Sequence, residues 1–480
     1  MGPKRAGSFA LGALLGTLGC GGAGLGPSPS TPRIDYVDGA IEPVLVRGQS
    51  TVIEGFGFGD TQGTGTVQFA ASSGSVPAAV ANGGWSDRAI RVVVPDSATS
   101  GTLAVATATG LKLSAPVHVL PHVPFDPSAL SWQGRSAFPR APAGVALAAG
   151  TVVAGGTLRV TLYATGGAEP LGGDSAMVPD SAVFVARTAP GGQVGPWSRP
   201  RDLPAPRAFA AAAFANRFNS RFHGAALYVL GGIDSAGHAR ATVFRSQISD
   251  DTTLAAFATI EPLPAPVAGA MAVVSRGRLY VMGGTDSTGT PRIGVFVGRI
   301  DADGHIDGWY VQPSLPTPRA YGGGVVLDTR VAVFGGLADS APIGGGLSLT
   351  TPRLTTSDTA RVSLISGFFS GDWAADGALL PDGRSQFAEL RLGDVTLLVG
   401  GVYSGVTTNT AETIAASVAG DSLTGFGGPV GVNSIAGLGG GTLVGPAAVS
   451  WQDTDGSYHG IVAGGIDFIT RIRRDGVWGF

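Results

Sequence analysis

The chain contains a single cysteine, Cys20, in 480 residues. The folded part therefore has no disulfide and no thiol ligand for a metal. Lysine is nearly as scarce, with only Lys4 and Lys112, so almost all basic charge is arginine. Charged residues make up 14% and the net charge is -3, which excludes the basic field that draws in nucleic acid. Disorder needs low hydrophobicity and high charge, and 44% hydrophobic residues exclude it for the bulk of the chain. What the chain has in excess is glycine (78) and proline (32). Turn residues set between apolar runs point to an all-β protein, and the length suggests more than one domain.

The N-terminus reads as an export signal. Lys4 and Arg5 are followed by an apolar stretch over residues 9–18, too short to span a membrane as a permanent helix. It ends at Thr17-Leu18-Gly19-Cys20, which resembles the lipobox of bacterial lipoproteins, with Thr17 where Leu is usual. The resemblance implies a signal peptide over 1–20, a lipid anchor on Cys20 and a place in the cell envelope; a plain secretory signal is the alternative. Residues 21–31, rich in Gly, Pro and Ser, read as a flexible tether.

Residues 32–120 alternate short apolar runs with turns. Strands are expected at 34–37, 51–54, 65–69, 90–94, 102–106 and 117–120. So many short strands in this length suggest an immunoglobulin-like sandwich. Pro32-Arg33-Ile34, Gly55-Phe56-Gly57-Phe58-Gly59, Val67-Gln68-Phe69, Trp85-Ser86-Asp87 and Val94-Pro95 resemble the IPT/TIG domain. The resemblance implies a spacer or binding module. Gly55, Gly57 and Gly59 do not form a phosphate loop, because the following Asp60-Thr61-Gln62-Gly63 cannot start a helix. They read as a corner between strands, and Trp85 as a core residue.

From residue 138 onward one phrase recurs. An apolar run ends in Gly-Gly, as in Leu227-Tyr228-Val229-Leu230-Gly231-Gly232 and Leu279-Tyr280-Val281-Met282-Gly283-Gly284. The first glycines are 166, 231, 283, 335, 400 and 464, spaced 52–65 residues apart. A fixed-period repeat marks a repeat architecture. A second run follows each pair and leads to an aromatic: Trp197, Phe257, Trp309, Trp373, Phe426 and, from a last copy at 469–472 after a shortened turn, Trp478. Leu203-Pro204-Ala205-Pro206-Arg207 and Leu315-Pro316-Thr317-Pro318-Arg319 then intervene. Proline is excluded from central strands, so these are loops between units. Each repeat predicts one four-stranded antiparallel sheet, and such sheets must stack around an axis to bury their faces.

These residues resemble the kelch repeat, which implies a kelch-type β-propeller over 138–480 with six blades. Residues 121–137 read as a linker. Either Trp132 or Trp478 could mark the fourth strand that closes the ring. Galactose-oxidase-like enzymes share this domain pairing, but their copper site needs a cysteine crosslinked to tyrosine, and none follows position 20. The sialidase box fails at 301–309, where Asp and Gly are adjacent. The three aspartates there (301, 303, 307) lack a distal bidentate Glu and read as a hairpin turn and not a calcium loop. His118, His122, His223, His238, His305 and His459 have no metal-ligand companions in sequence, and no Gly-x-Ser-x-Gly elbow occurs. No cofactor and no metal are expected.

One face is singled out. The loops after Gly-Gly carry Asp234-Ser235 and Asp286-Ser287, and antiparallel connectivity puts them on the same rim as Arg207 and Arg319. These six are the candidate binding residues, since loops on a rigid scaffold commonly carry binding. The plainer alternative is that Asp caps its own turn and Arg ties neighbouring blades together. The expectation is an envelope-anchored or secreted protein that binds a protein or glycan. A carbohydrate-active enzyme with an axial site and a structural envelope component are the alternatives. Two or more carboxylates converging on the axis would favour the enzyme.

Overall fold

The computed structural model describes residues 31–480 apart from 141, 155–156, 171–176, 217–224, 250–251, 302, 328–329, 339–358, 366–367, 376–379, 382, 404–412, 420–421, 430–442 and 467–475. The described chain is all-β, with a single 3-10 turn at Pro127–Ala129 and no α-helix among the described residues.

Residues 33–120 make two stacked sheets. One carries Arg33–Val37, Ser50–Phe56, Ala89–Val93 and Val80–Trp85; the other carries Val44–Val46, Lys112–Leu120, Ala98–Ala106, Thr66–Ala71 and Gly74–Pro77. Alternation decides which side chains face inward, so Val67 and Phe69 are buried while Thr66 and Gln68 are exposed. Ile53, Phe69, Trp85, Ile90 and Leu103 meet between the sheets. The glycine-rich corner is required sterically. A Cβ on Gly55 would lie 2.1 Å from the Arg33 carbonyl oxygen, and Gly57 has φ +82°. Trp85 is a core residue whose Nε1 donates to the Phe58 carbonyl at 3.2 Å.

Residues 133–480 form a ring of antiparallel sheets. The innermost strands are Ala146–Ala154, Ala211–Ala215, Met271–Ser275, Gly323–Val326, Ala388–Leu392 and Ala447–Gln452, and each packs against the next, with the last against the first. Behind each lies a second strand that ends at Gly-Gly: Thr157–Thr165, Ala225–Leu230, Arg278–Met282, Arg330–Phe334, Val395–Val399 and Tyr458–Ala463. Ala225–Leu230 and Val395–Val399 are buried at every position, because sheets cover both faces. The third and fourth strands lie outward, for example Val295–Ile300 and Ile306–Val311.

The ring closes with strands from both ends of the chain. Val477–Gly479 pairs with Tyr458–Ala463 as a third strand, and Gln133–Gly134 pairs outside it, with Gln133 opposite Gly479 and Gly134 opposite Trp478. Trp478 thus stands on the third strand and the segment after Trp132 supplies the fourth. The expected third-strand copy at 469–472 lies outside the described residues. Trp132 is buried edge-on against Phe480, with ring centroids 5.1 Å apart.

Among the described residues, the two-sheet body meets the ring at the turns that join first to second strands and at the start of the second strands, where Arg278 and Tyr458 stand. Asp38 pairs with Arg276 at 3.7 Å, Tyr36 packs against the apolar cluster there, and His122 lies 3.3 Å from Asp394. A Cβ on Gly39 would sit 2.0 Å from the Arg276 Cα, and one on Gly456 would sit 2.3 Å from the Pro121 carbonyl oxygen. Arg276, Asp394 and Gly456 all belong to these turns. Burial raises the Glu54 carboxyl above its ordinary range, while Arg278 and Arg276 oppose the shift. The other end of the ring, where the Gly-Gly turns gather, carries none of these contacts.

Candidate functional site

Both glycines of every pair have positive φ, from +58° at Gly335 to +105° at Gly336. That region favours glycine. The second glycine donates its N–H across to the next sheet: Gly167 to the Arg207 carbonyl at 2.8 Å, Gly232 to Val267 at 2.8 Å, Gly284 to Arg319 at 2.9 Å, Gly336 to Arg384 at 2.8 Å, and Gly401 to Leu443 at 2.8 Å. The first glycine faces the same carbonyl; a Cβ on Gly283 would lie 2.3 Å from the Arg319 oxygen. The pairs are therefore latches between neighbouring sheets.

Arg207 and Arg319 belong to these latches, which corrects their assignment as rim binding residues. Arg319 is fully buried, with Nη1 donating to the Gly335 carbonyl at 2.9 Å and Nη2 to Thr317 Oγ1 at 2.8 Å. Arg207 is also buried; its Nη2 donates to Thr242 Oγ1 at 2.6 Å and its guanidinium lies 5.0 Å from the Phe244 ring centre. Arg384 repeats the pattern, with Nη1 on the Gly400 carbonyl at 3.3 Å. A guanidinium offers several donors in one plane, which suits the carbonyls of a tight double-glycine turn.

The aspartates are at the rim but their oxygens are engaged. Asp234 accepts from the Ala236 and His238 amides at 2.9 Å each and pairs with Arg240. Asp286 accepts from the Thr288 amide at 2.8 Å and the Thr290 amide at 3.1 Å and pairs with Arg292. Partial burial acts upward on both carboxyls, yet these bonds hold them below the usual carboxylate range. Ser235 and Ser287 remain exposed at the loop tips, and Ser287 Oγ lies 3.4 Å from the Ala239 carbonyl of the neighbouring loop. The next loop in the series, with residues 339 and 340, lies outside the described residues, as do Cys20 and His223.

Two residues after each latch carbonyl, the chain lines the end of the axis. The six positions are Gly144, Phe209, Gly269, Tyr321, Gln386 and Gly445, and all have left-handed backbones, with φ between +54° and +63°. A chain of amides joins them: Phe209 N–H to the Gly144 carbonyl, Gly269 to Phe209, Tyr321 to Gly269, Gln386 to Tyr321 and Gly445 to Gln386, all at 2.8–2.9 Å. The Phe209 and Tyr321 rings meet edge to face at 5.8 Å and 89°, lying over Gly144 and Gly269. They surround a pocket of about 140 Å³.

This pocket opens into an axial channel of about 600 Å³. About half of its lining is Ala and Gly from the inner strands. Two charged side chains line it, Glu389 and Arg391, on one strand and two residues apart. Glu389 Oε2 accepts the Gly324 amide at 2.9 Å from the neighbouring inner strand. Burial pushes its carboxyl up to about 8, against the Gly324 bond and Arg391. Burial lowers the Arg391 guanidinium, whose Nη1 lies 3.4 Å from Thr396 Oγ1. Glu389 is the one carboxylate among the described channel residues.

Among the described residues no group of three or more His, Cys, Asp or Glu side chains is placed to hold a metal ion. The Asp301 turn closes on itself, accepting the Asp303 and His305 amides at 2.9 and 2.8 Å. Sequence reading missed Phe209, Tyr321, Gln386 and Glu389. The first three had a signal, namely their fixed offset from Arg207, Arg319 and Arg384 in aligned repeats.

A closed ring of four-stranded sheets latched by Gly-Gly turns is the architecture of a β-propeller. No family model matches the chain. Beta-scruin of Limulus polyphemus, a kelch-repeat protein, is 28% identical over 159 residues, covering 32% of this chain. The match spans only 16% of that protein's length. The solved structure of YjhT, a kelch-type propeller, is similar with a TM-score of 0.48 and 14% identity, over 71% of this chain and 95% of that one. The repeat geometry and the similarity to beta-scruin support a kelch-like domain here.

Proposed function

We propose that this chain is an exported, lipid-anchored binding protein that presents a six-bladed kelch propeller to a protein or glycan. Cys20 carries the anchor, residues 21–31 are the tether, and an immunoglobulin-like sandwich over 32–120 acts as a stalk. The propeller, residues 138–480, binds through the end where the Gly-Gly loops and the channel mouth lie. One observation carries this reading: the two-sheet body docks on the turns at the opposite end, at Asp38–Arg276 and His122–Asp394. The loop-bearing end is left to face outward.

The test uses the full chain as bait against envelope and medium fractions of its own cells. A second bait carries Ser235→Arg and Ser287→Arg, which place bulk and charge at exposed loop tips without touching the latches. A partner held by the first bait and lost by the second supports recognition at this end. Identical retention by both baits overturns it.

A further inference from the structure

The mouth of the channel has an unusual feature. At three of its six equivalent positions stands glycine, the residue that a left-handed backbone favours. At the other three stand Phe209, Tyr321 and Gln386, held in the same strained conformation. Strain of this kind persists where the surrounding structure imposes it, and it clusters at ligand sites. Here it places two aromatic rings and an amide around the pocket at the end of the axis.

The channel behind them has a defined chemistry. About half of its lining is Ala and Gly, and about 600 Å³ stays open. Each inner strand is the edge of its sheet, so alternate backbone N–H and C=O groups point into the channel without a partner strand. The Gly324 amide is one, and it is taken by Glu389. Burial keeps the Glu389 carboxyl protonated at neutral pH, and the Arg391 charge is offset by Asp394, so the lining has little net charge to select a cation or an anion. It combines flat apolar rings at the entrance with many hydrogen-bonding groups behind them.

We infer that the axial channel, entered past Phe209, Tyr321 and Gln386, is a binding site for an uncharged sugar ring at the end of a glycan. The C–H face of a pyranose packs on an aromatic ring, and its hydroxyls both donate and accept, which suits the Gln386 amide, the Glu389 carboxyl and the strand edges. This rests on reading the loop-bearing end as the recognition face and names the ligand of its centre.

The experiment is saturation-transfer NMR on the full chain with glucose, galactose, mannose, N-acetylglucosamine and N-acetylgalactosamine, and with glucuronate and glucosamine as charged controls. Three variants accompany it. Phe209→Gly and Tyr321→Gly install the residue found at Gly144, Gly269 and Gly445, and Ala212→Leu narrows the channel from within. The expected result is binding of at least one neutral sugar, weakened about tenfold or more by each variant, the scale of one lost ring or polar contact. The melting curve of each variant must remain cooperative. No transfer to any neutral sugar overturns the inference, as does a sugar bound equally by wild type and all three folded variants, or a preference for a charged control. Protein capture that depends on Ser235 and Ser287, with no sugar bound, would sink the axial site while leaving the recognition face standing.

Discussion

The Gly284 amide donates to the Arg319 carbonyl at 2.9 Å, while the guanidinium of the same arginine reaches the Gly335 carbonyl at 2.9 Å. Arg319 thus ties the glycine turn of the preceding sheet to that of its own. Arg384 makes the same tie at the next junction, accepting from the Gly336 amide and donating to the Gly400 carbonyl.

Arg319→Ala removes two hydrogen bonds from a fully buried group and leaves the Gly335 carbonyl without its donor. Loss of a charged buried donor with its acceptors left behind costs roughly 3 kcal/mol. Denaturant unfolding should show a lower midpoint for this variant, and Ser287→Ala at the exposed rim should change little.

Gly283→Ala and Gly237→Ala separate backbone strain from steric overlap. Both glycines have positive φ, +64° and +81°. Only Gly283 is also crowded; a Cβ on Gly237 would meet nothing within 4 Å. Gly237→Ala should cost about 1 kcal/mol from strain alone. Gly283→Ala should cost about 3 kcal/mol or more, since the Arg319 carbonyl must move. Equal losses in thermal unfolding would refute the latch.

Glu389 makes stability depend on pH in a direction opposite to most carboxylates. Its carboxyl is pushed from 4.5 up to about 8 by burial. Between those values the folded chain keeps a proton that the unfolded chain has released. Its contribution to stability therefore falls as pH rises from about 4.5 to 8, by up to about 1.4 kcal/mol per pH unit, and is flat outside that window. Glu389→Gln should abolish the slope. The stability difference between variant and wild type, measured at pH 5 and pH 8, should grow in favour of the variant.

Gly39→Val tests the docking of the two-sheet body on the ring. The new side chain would overlap the Arg276 backbone, whose Cα is 2.0 Å from the Cβ position. The expected outcome is two folded bodies that no longer hold together. Small-angle scattering should give a larger radius of gyration, and proteases should cut within 121–131. An unchanged radius would show that this contact does not hold the bodies together.

Cys20→Ser tests the anchor. The wild-type chain should fractionate with membranes and take up labelled fatty acid, while the serine variant should do neither. Equal release of both from membranes would remove the lipoprotein reading and leave a secreted protein.

Much of the fold was legible because its signals are local. Six strands were expected in 32–120, and each lies within or overlaps an observed strand, for example 51–54 inside Ser50–Phe56. Val80–Trp85 was missed because Asn82-Gly83-Gly84 reads as a turn. Gly-Gly and Leu-Pro-x-Pro-Arg mark the strand ends, since φ, Cβ overlap and the missing proline donor act within a few residues. Asp234 and Asp286 cap their own loops, as a short side chain beside its own backbone can do anywhere.

The sequence by itself determined where strands begin and end, that each repeat makes one sheet, and that glycine must stand at the turns. Only the tertiary structure decided what those turns meet. Arg207 and Arg319 read as rim residues because antiparallel connectivity brings their loops to that end, and they are buried because the neighbouring Gly-Gly turns and sheets cover them. Ring closure through Gln133–Gly134 joins segments more than 300 residues apart, a contact that no local preference encodes. Phe209, Tyr321, Gln386 and Glu389 converge because the ring brings corresponding positions of successive repeats to one axis. That convergence is a property of the closed ring and of no single repeat.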